Sequence, residues 1–239
     1  MTEEFVRFFY PKLSKNKKKD VERLVKKGVK KSVAVGLLSA GKCSYPEALM
    51  ISKIIGEFSS VEICSYTEKP QIVCFLANID DKKNVYIYPQ YRLMKPLYLN
   101  KKDRKQQDYW YIDLAIELHI VNPIDDDSAI IAIWGMEYDG HPQHFIESGI
   151  QDSNLRDLTI NTEYDINIMH ITKEIWENRS RLVHANLSRF IERRYQDVKG
   201  IPFNDLKNRQ INLTKLPTLD LIRMPDGSVK ATHWLTNVN

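Results

Sequence analysis

Acidic residues set inside strand-like apolar runs carry the most chemistry in this chain. Residues 109–121, YWYIDLAIELHIV, hold Asp113, and residues 128–140, SAIIAIWGMEYDG, hold Glu137 and Asp139. A buried carboxylate without a partner is costly or takes up a proton instead. Several such acids brought together therefore point to a shared use, most often holding a metal ion. Asp113 and Glu137 stand 24 residues apart, which fits two adjacent strands joined by a turn, here the acidic NPIDDDS. The segment QDSNLRDL follows at once with Asp152 and Arg156, and Glu47 lies upstream in SYPE.

Positioning those acids requires a definite order of elements. Ser44 is a suitable N-cap and Pro46 suits a first turn. Leu49, Met50, Ile54, Ile55 and Phe58 then repeat with helical period. From Val61 the period changes. SVEICSY, QIVCFLANI and NVYIYPQYRL are rich in β-branched and aromatic residues and predict strands, with a hairpin at NIDDKKN and Gln90 on the third. The basic loop NKKDRKQQD precedes the two acid-bearing strands. A helix beginning near Asp152 with Leu155 and Leu158, a strand INIMHIT, and a long helix over 173–196 come next. That helix is predicted to turn Ile175, Trp176, Leu182, Val183, Leu187, Phe190 and Ile191 inward. The tail reads as a hairpin turning at Asp226-Gly227. The order predicts an α/β fold, a central mixed β-sheet flanked by helices.

Charge is unevenly placed. The first 42 residues hold twelve Lys/Arg against four Asp/Glu, a surplus of eight, whereas the whole chain carries only +4. Lys17, Lys18, Lys19, Lys26, Lys27, Lys30 and Lys31 lie in two short helical patterns joined near Gly28. A basic helical hairpin of this kind suits DNA, where each neutralised phosphate adds salt-sensitive affinity; a solvated, frayed terminus is the plainer account. The domain reading is a basic helical extension over 1–43, an α/β core over 44–171, and a long helix with a C-terminal hairpin over 172–239. Three cysteines without CxxC spacing, no signal-like N-terminus and no run of ~18 apolar residues predict a cytoplasmic chain without a membrane span.

The series SYPE, YPQY, YWYIDLAI, IAIWGMEYDGHPQHF and QDSNLRDL resembles the PD-(D/E)xK, or restriction-endonuclease-like, nucleases over roughly residues 44–171. The nearest likeness is to the compact branch related to very-short-patch-repair endonucleases. The resemblance implies a DNA endonuclease that uses Mg²⁺, with Mn²⁺ as a substitute. It makes Asp113 the central metal-binding carboxylate, Glu137 the second, and Glu47 the acid that completes the site. Gln90 matches a polar position near the nucleophilic water, and Asp139, His144, Asp152 and Arg156 match less defined polar positions. Where the family places a lysine, two residues after the second carboxylate, this chain has Asp139. Gln90, His141 and His144 are the residues left to orient water.

The chemistry agrees with that likeness. Phosphodiester hydrolysis builds negative charge on oxygen, and a hard divalent cation stabilises it. Mg²⁺ prefers oxygen ligands and keeps several waters, so two or three carboxylates suffice.

Each residue also has a plainer reading. Asp139-Gly140 is a turn signal, and Glu47 suits a first turn for electrostatic reasons. Asp113 suits a buried salt bridge, and Arg156 suits a helical ion pair with Asp152. His141 and His144 have H-x-x-H spacing but no third zinc ligand nearby. Arg179 and His184 fit the R-x-x-x-x-H pattern of helical RNases, which the strand-rich middle opposes. Two alternatives stand beside cleavage: a nuclease-fold DNA-binding or structural protein without chemistry, and a transposition or repair subunit that cuts only within a larger nucleoprotein complex. Cutting both strands of a duplex usually requires two active sites, which a homodimer would supply.

Overall fold

The N-terminal helices form where apolar residues recur at helical period between lysines. The computed structural model of the chain describes residues 2–40, 43–68, 71–96, 109–125, 127–140, 146–213, 219–223 and 229–233. Helix α1 (Thr2–Phe9) leads through a single 3-10 turn into α2 (Lys15–Lys26) and α3 (Lys31–Ser39). Ser14 caps α2 by accepting the Lys17 amide at 3.3 Å. Gly28, at φ 88°, makes the left-handed turn between α2 and α3. Phe5, Phe9, Val21, Leu24, Leu37 and Leu38 all go inward, into the same apolar core as the sheet residues Phe75, Ile87, Leu114 and Met136. Full burial of a side chain of this size contributes about 1.5–3 kcal/mol. The basic segment thus shares its core with the body of the protein.

Helix α4 (Tyr45–Ile55) precedes five strands that follow one another as an antiparallel meander. They are β1 (Val61–Glu68), β2 (Gln71–Asp80), β3 (Lys83–Met94), β4 (Tyr109–Val121) and β5 (Ser128–Asp139). Helix α5 (Glu147–Tyr164) crosses over to β6 (Asn167–Thr172), which lies parallel to β5. The long α6 (Lys173–Asp197) and α7 (Phe203–Leu213) follow. A hairpin of β7 (Leu219–Arg223) and β8 (Val229–His233) extends the sheet beyond β1, giving the order β6-β5-β4-β3-β2-β1-β8-β7. The predicted turn at Asp226-Gly227 lies outside the described residues.

Strand residues are buried in two clusters packed by helices. Val85, Ile87, Leu114, Ile116, Trp134 and Met136 pack with α1–α4 and α6. Leu93, Ile112, Ala115, Ile130 and Ile133 pack on the other side with Ile160, Tyr164 and Ile166 from and after α5. The result is an α/β fold with a mixed sheet flanked by helices.

Two helical expectations need correction. Helix α5 begins at Glu147, about a turn and a half before the predicted Asp152, and buries only Ile160 and Tyr164. On α6, Ile175 and Leu182 face outward, 37% and 59% exposed. The helix breaks its geometry at Arg179 (φ −136°, ψ 23°). Residues on the two sides of that kink no longer share one rotational phase, so a single continuous stripe cannot describe both.

Candidate functional site

Register brings the first two polar groups together. The flanking pairs Pro89↔Leu114 and Tyr91↔Ile112 set Gln90 opposite Asp113 on the neighbouring strand. Gln90 has φ 57°, a left-handed conformation that a non-glycine residue holds only where its surroundings compel it. Its Nε2 donates to Asp113 Oδ1 at 3.0 Å. The other oxygen, Oδ2, accepts the Tyr138 amide at 2.8 Å. The β4–β5 ladder stops at Leu114↔Met136, so the Asp113 side chain takes up the next amide and pins β5 where Glu137 emerges.

Glu47 sits at the third position of α4 in a capping box. Its Oε2 accepts the Ser44 amide at 2.7 Å, while Ser44 Oγ accepts the Glu47 amide at 3.5 Å. Glu137 is 6% exposed. Arg156 of α5 places Nη2 3.2 Å from Glu137 Oε1. That contact is an ion pair without hydrogen-bond geometry, and Oε1 has no hydrogen-bond partner.

A line of alternating charges runs on from there. Arg156 Nε and Nη2 both stand 3.0 Å from Asp157 Oδ1. Asp157 Oδ2 lies 2.5 Å from His170 Nε2, and His170 Nδ1 lies 2.7 Å from Asp139 Oδ2. Glu137, Arg156, Asp157, His170 and Asp139 therefore form a loop of three acids and two cations that closes back onto β5. Asp139, which stands where the resembled pattern has a lysine, is an anchor for the β6 histidine.

Electrostatics follow from burial and crowding. Burial, and then the charge of Asp113, push the Glu47 carboxyl up to about 7. Burial raises Asp113 against the pull of the Tyr138 and Gln90 hydrogen bonds. Burial lifts Glu137 well above the carboxylate range, opposed by Arg156 and reinforced by Asp113. Burial would also raise Asp157, but His170 and Arg156 outweigh it and hold it low. The Asp139 and Asp157 hydrogen bonds push His170 up to about 10, so its imidazole is a cation at neutral pH.

Glu47, Asp113 and Glu137 line one cleft of about 850 Å³, whose wall also carries Lys27, Lys53 and Lys173 with Tyr45 and Trp176. Acids and amines thus meet in one concavity. Among the described residues no three His, Cys, Asp or Glu side chains gather closely enough to hold a metal ion unaided. The donor set still suits a hard divalent cation, being all carboxylate with one buried oxygen lacking a hydrogen bond. Mg²⁺ is commonly held by one or two carboxylates, with waters and substrate phosphate completing its shell. Asp113 and Glu137 are the carboxylates that could hold such a cation, with Glu47 beside them in the cleft.

Other predicted residues are placed as follows. Lys27 joins the cleft. Lys17 donates to the Leu38 carbonyl at 2.6 Å and Lys18 to that of Pro11 at 2.8 Å. Lys31 stands 4.5 Å from the centre of the Tyr10 ring, and Lys19, Lys26 and Lys30 are exposed. Arg156 points to Glu137 and Asp157, and Asp152 is exposed on α5. His141 and His144 lie outside the described residues. Sequence reasoning missed Asp157, His170, Lys53 and Lys173. The signal for His170 is the parallel β5–β6 register, which sets Glu137 against His170.

Comparison with protein-family models, with curated proteins and with solved structures found no match. Among the described residues no helix is long and apolar enough to cross a membrane.

Proposed function

We propose that this chain is a divalent-metal-dependent DNA endonuclease built on a restriction-endonuclease-like core. The observation that carries the reading is the shared cleft, with Glu47, Asp113 and Glu137 among three lysines, Lys27 just after α2, Lys53 of α4 and Lys173 of α6. A bound divalent cation would supply charge stabilisation to the phosphodiester and acidify the attacking water. Asp113 and Glu137 would hold it, and Gln90 fixes the orientation of Asp113 through its 3.0 Å hydrogen bond. Lys27, Lys53 and Lys173 would meet the flanking phosphates, which gives binding a salt-dependent component. Burial that raises the carboxyls of Glu47, Asp113 and Glu137 supports the reading, since a bound cation would favour their ionised forms.

A second reading, the same fold without chemistry, draws on the structural work these acids already do: Glu47 caps α4 and Asp113 closes the β4–β5 ladder. One experiment separates the two. Wild type, Asp113→Ala and Glu137→Ala are assayed on duplex and single-stranded DNA with Mg²⁺ or Mn²⁺, alongside metal-dependent thermal stabilisation. Cleavage by wild type and its loss in both variants is the expected result. Equal cleavage by all three proteins sinks the nuclease reading, and neither cleavage nor metal stabilisation in wild type favours the second.

A further inference from the structure

We infer that Arg156 is a shuttling cation, paired with Glu137 as the structure stands and released to the substrate phosphate when a divalent metal takes Glu137. This rests on the nuclease reading and adds to it the group that stands in for the missing lysine. Three observations carry it. The Arg156 contact to Glu137 is an ion pair at 3.2 Å without hydrogen-bond geometry, so Oε1 is buried yet open to a better partner. The same Nη2 stands 3.0 Å from Asp157 Oδ1, and the guanidinium's Nε donates a hydrogen bond to that oxygen at 3.0 Å. Asp157 is itself fixed by His170, which is fixed by Asp139.

Nη2 can therefore let go of Glu137 while Nε keeps its hydrogen bond to Asp157. Asp157 acts as a tether and His170 as the brace that keeps the tether in place. The Arg156 side chain keeps 21% of its surface exposed, and its planar fork suits bidentate contact with a phosphate. A metal and a guanidinium both cannot neutralise the same buried carboxylate oxygen without repelling one another. The cation that is displaced is the one already on a leash beside the reacting group. His170 and Asp157 are positioning residues in this scheme, since they act through Arg156.

The shuttle predicts opposite signs for two readouts of one variant, which a purely structural arginine would not give. Removing the competing cation in Arg156→Gln should tighten Mn²⁺ binding about tenfold, the low end of what an opposite charge at this range does to a carboxylate's proton affinity. Removing the phosphate partner should lower kcat on the order of 10²-fold. Mn²⁺ binding is measured on the full chain by electron paramagnetic resonance, and cleavage by single-turnover kinetics. Tighter binding with slower cleavage supports the shuttle; weaker or unchanged binding, or an unchanged rate, overturns it. If Arg156→Gln does not fold, Arg156→Lys keeps the charge and loses the fork. It should bind Mn²⁺ as wild type does and cleave about tenfold more slowly, and a wild-type rate overturns the proposal. A wild-type chain that neither binds Mn²⁺ nor cleaves removes the nuclease reading itself, an outcome distinct from these.

Discussion

Replacing His170 with Asn tests the charge loop through stability alone. His170 joins Asp139 at 2.7 Å and Asp157 at 2.5 Å, with 31% of its side chain exposed. Breaking a fully buried ion pair costs about 3–5 kcal/mol. Partial exposure here, and the hydrogen bonds that Asn can still make, reduce that to about 2 kcal/mol. In a chain of this size such a loss lowers Tm by about 4–8 °C. The pH signature is more telling than the size. Folding raises the His170 pKa from 6.5 to about 10, so the folded state binds the proton more tightly than the unfolded state does. Its contribution is therefore complete below pH 6.5 and lost as pH rises through about 10. Urea unfolding of wild type and His170→Asn at several pH values between about 6 and about 10.5 measures this. The difference between the two curves cancels the titration of groups they share. A gap near 2 kcal/mol at the acid end that closes at the alkaline end is expected. A gap that is flat, or that widens with pH, refutes the doubly anchored imidazolium.

Glu47→Gln separates the two jobs of that residue, because glutamine serves equally at the third position of a capping box. Stability should change by less than about 0.5 kcal/mol while Mg²⁺-dependent cleavage falls; thermal melts and a cleavage assay check both, and cleavage at the wild-type rate would reduce Glu47 to a cap. Gly36→Ala probes packing between α3 and β2, since an added Cβ would stand 2.8 Å from Phe75 Cζ. Overpacking of about 1–3 kcal/mol outweighs the helix-propensity gain of about 1 kcal/mol, so a net loss is expected in urea unfolding. Phe75→Leu in the same chain should recover part of it, and a Gly36→Ala protein more stable than wild type would contradict the packing.

The sheet was legible because its strands announce themselves by composition and its turns by residue type: QIVCFLANI, the DDK turn and NVYIYPQYRL need no tertiary knowledge. Asp113 and Glu137 stand out in the sequence for the same reason, as acids in apolar runs that bury most of their residues. Helix α5 was legible as a helix but not in its start or its buried face, because it carries no apolar stripe: it buries Ile160 and Tyr164 while Leu155 and Leu158 stay 66% and 64% exposed. A helix held by its C-terminal turn and by a charged pair on one side leaves little periodic signal to read. Asp157 and His170 were hidden for a different reason. Neither is unusual where it stands, and their meaning comes only from parallel pairing of β6 with β5, which sets His170 beside Glu137 and within reach of Asp139. Asp139 is the case in which pattern and structure part most usefully. Against a motif it is a missing lysine; in the fold it holds the histidine that holds the aspartate that holds Arg156. A positive charge does stand beside Glu137, the Arg156 guanidinium of α5 at 3.2 Å, held there through contacts that no linear spacing encodes.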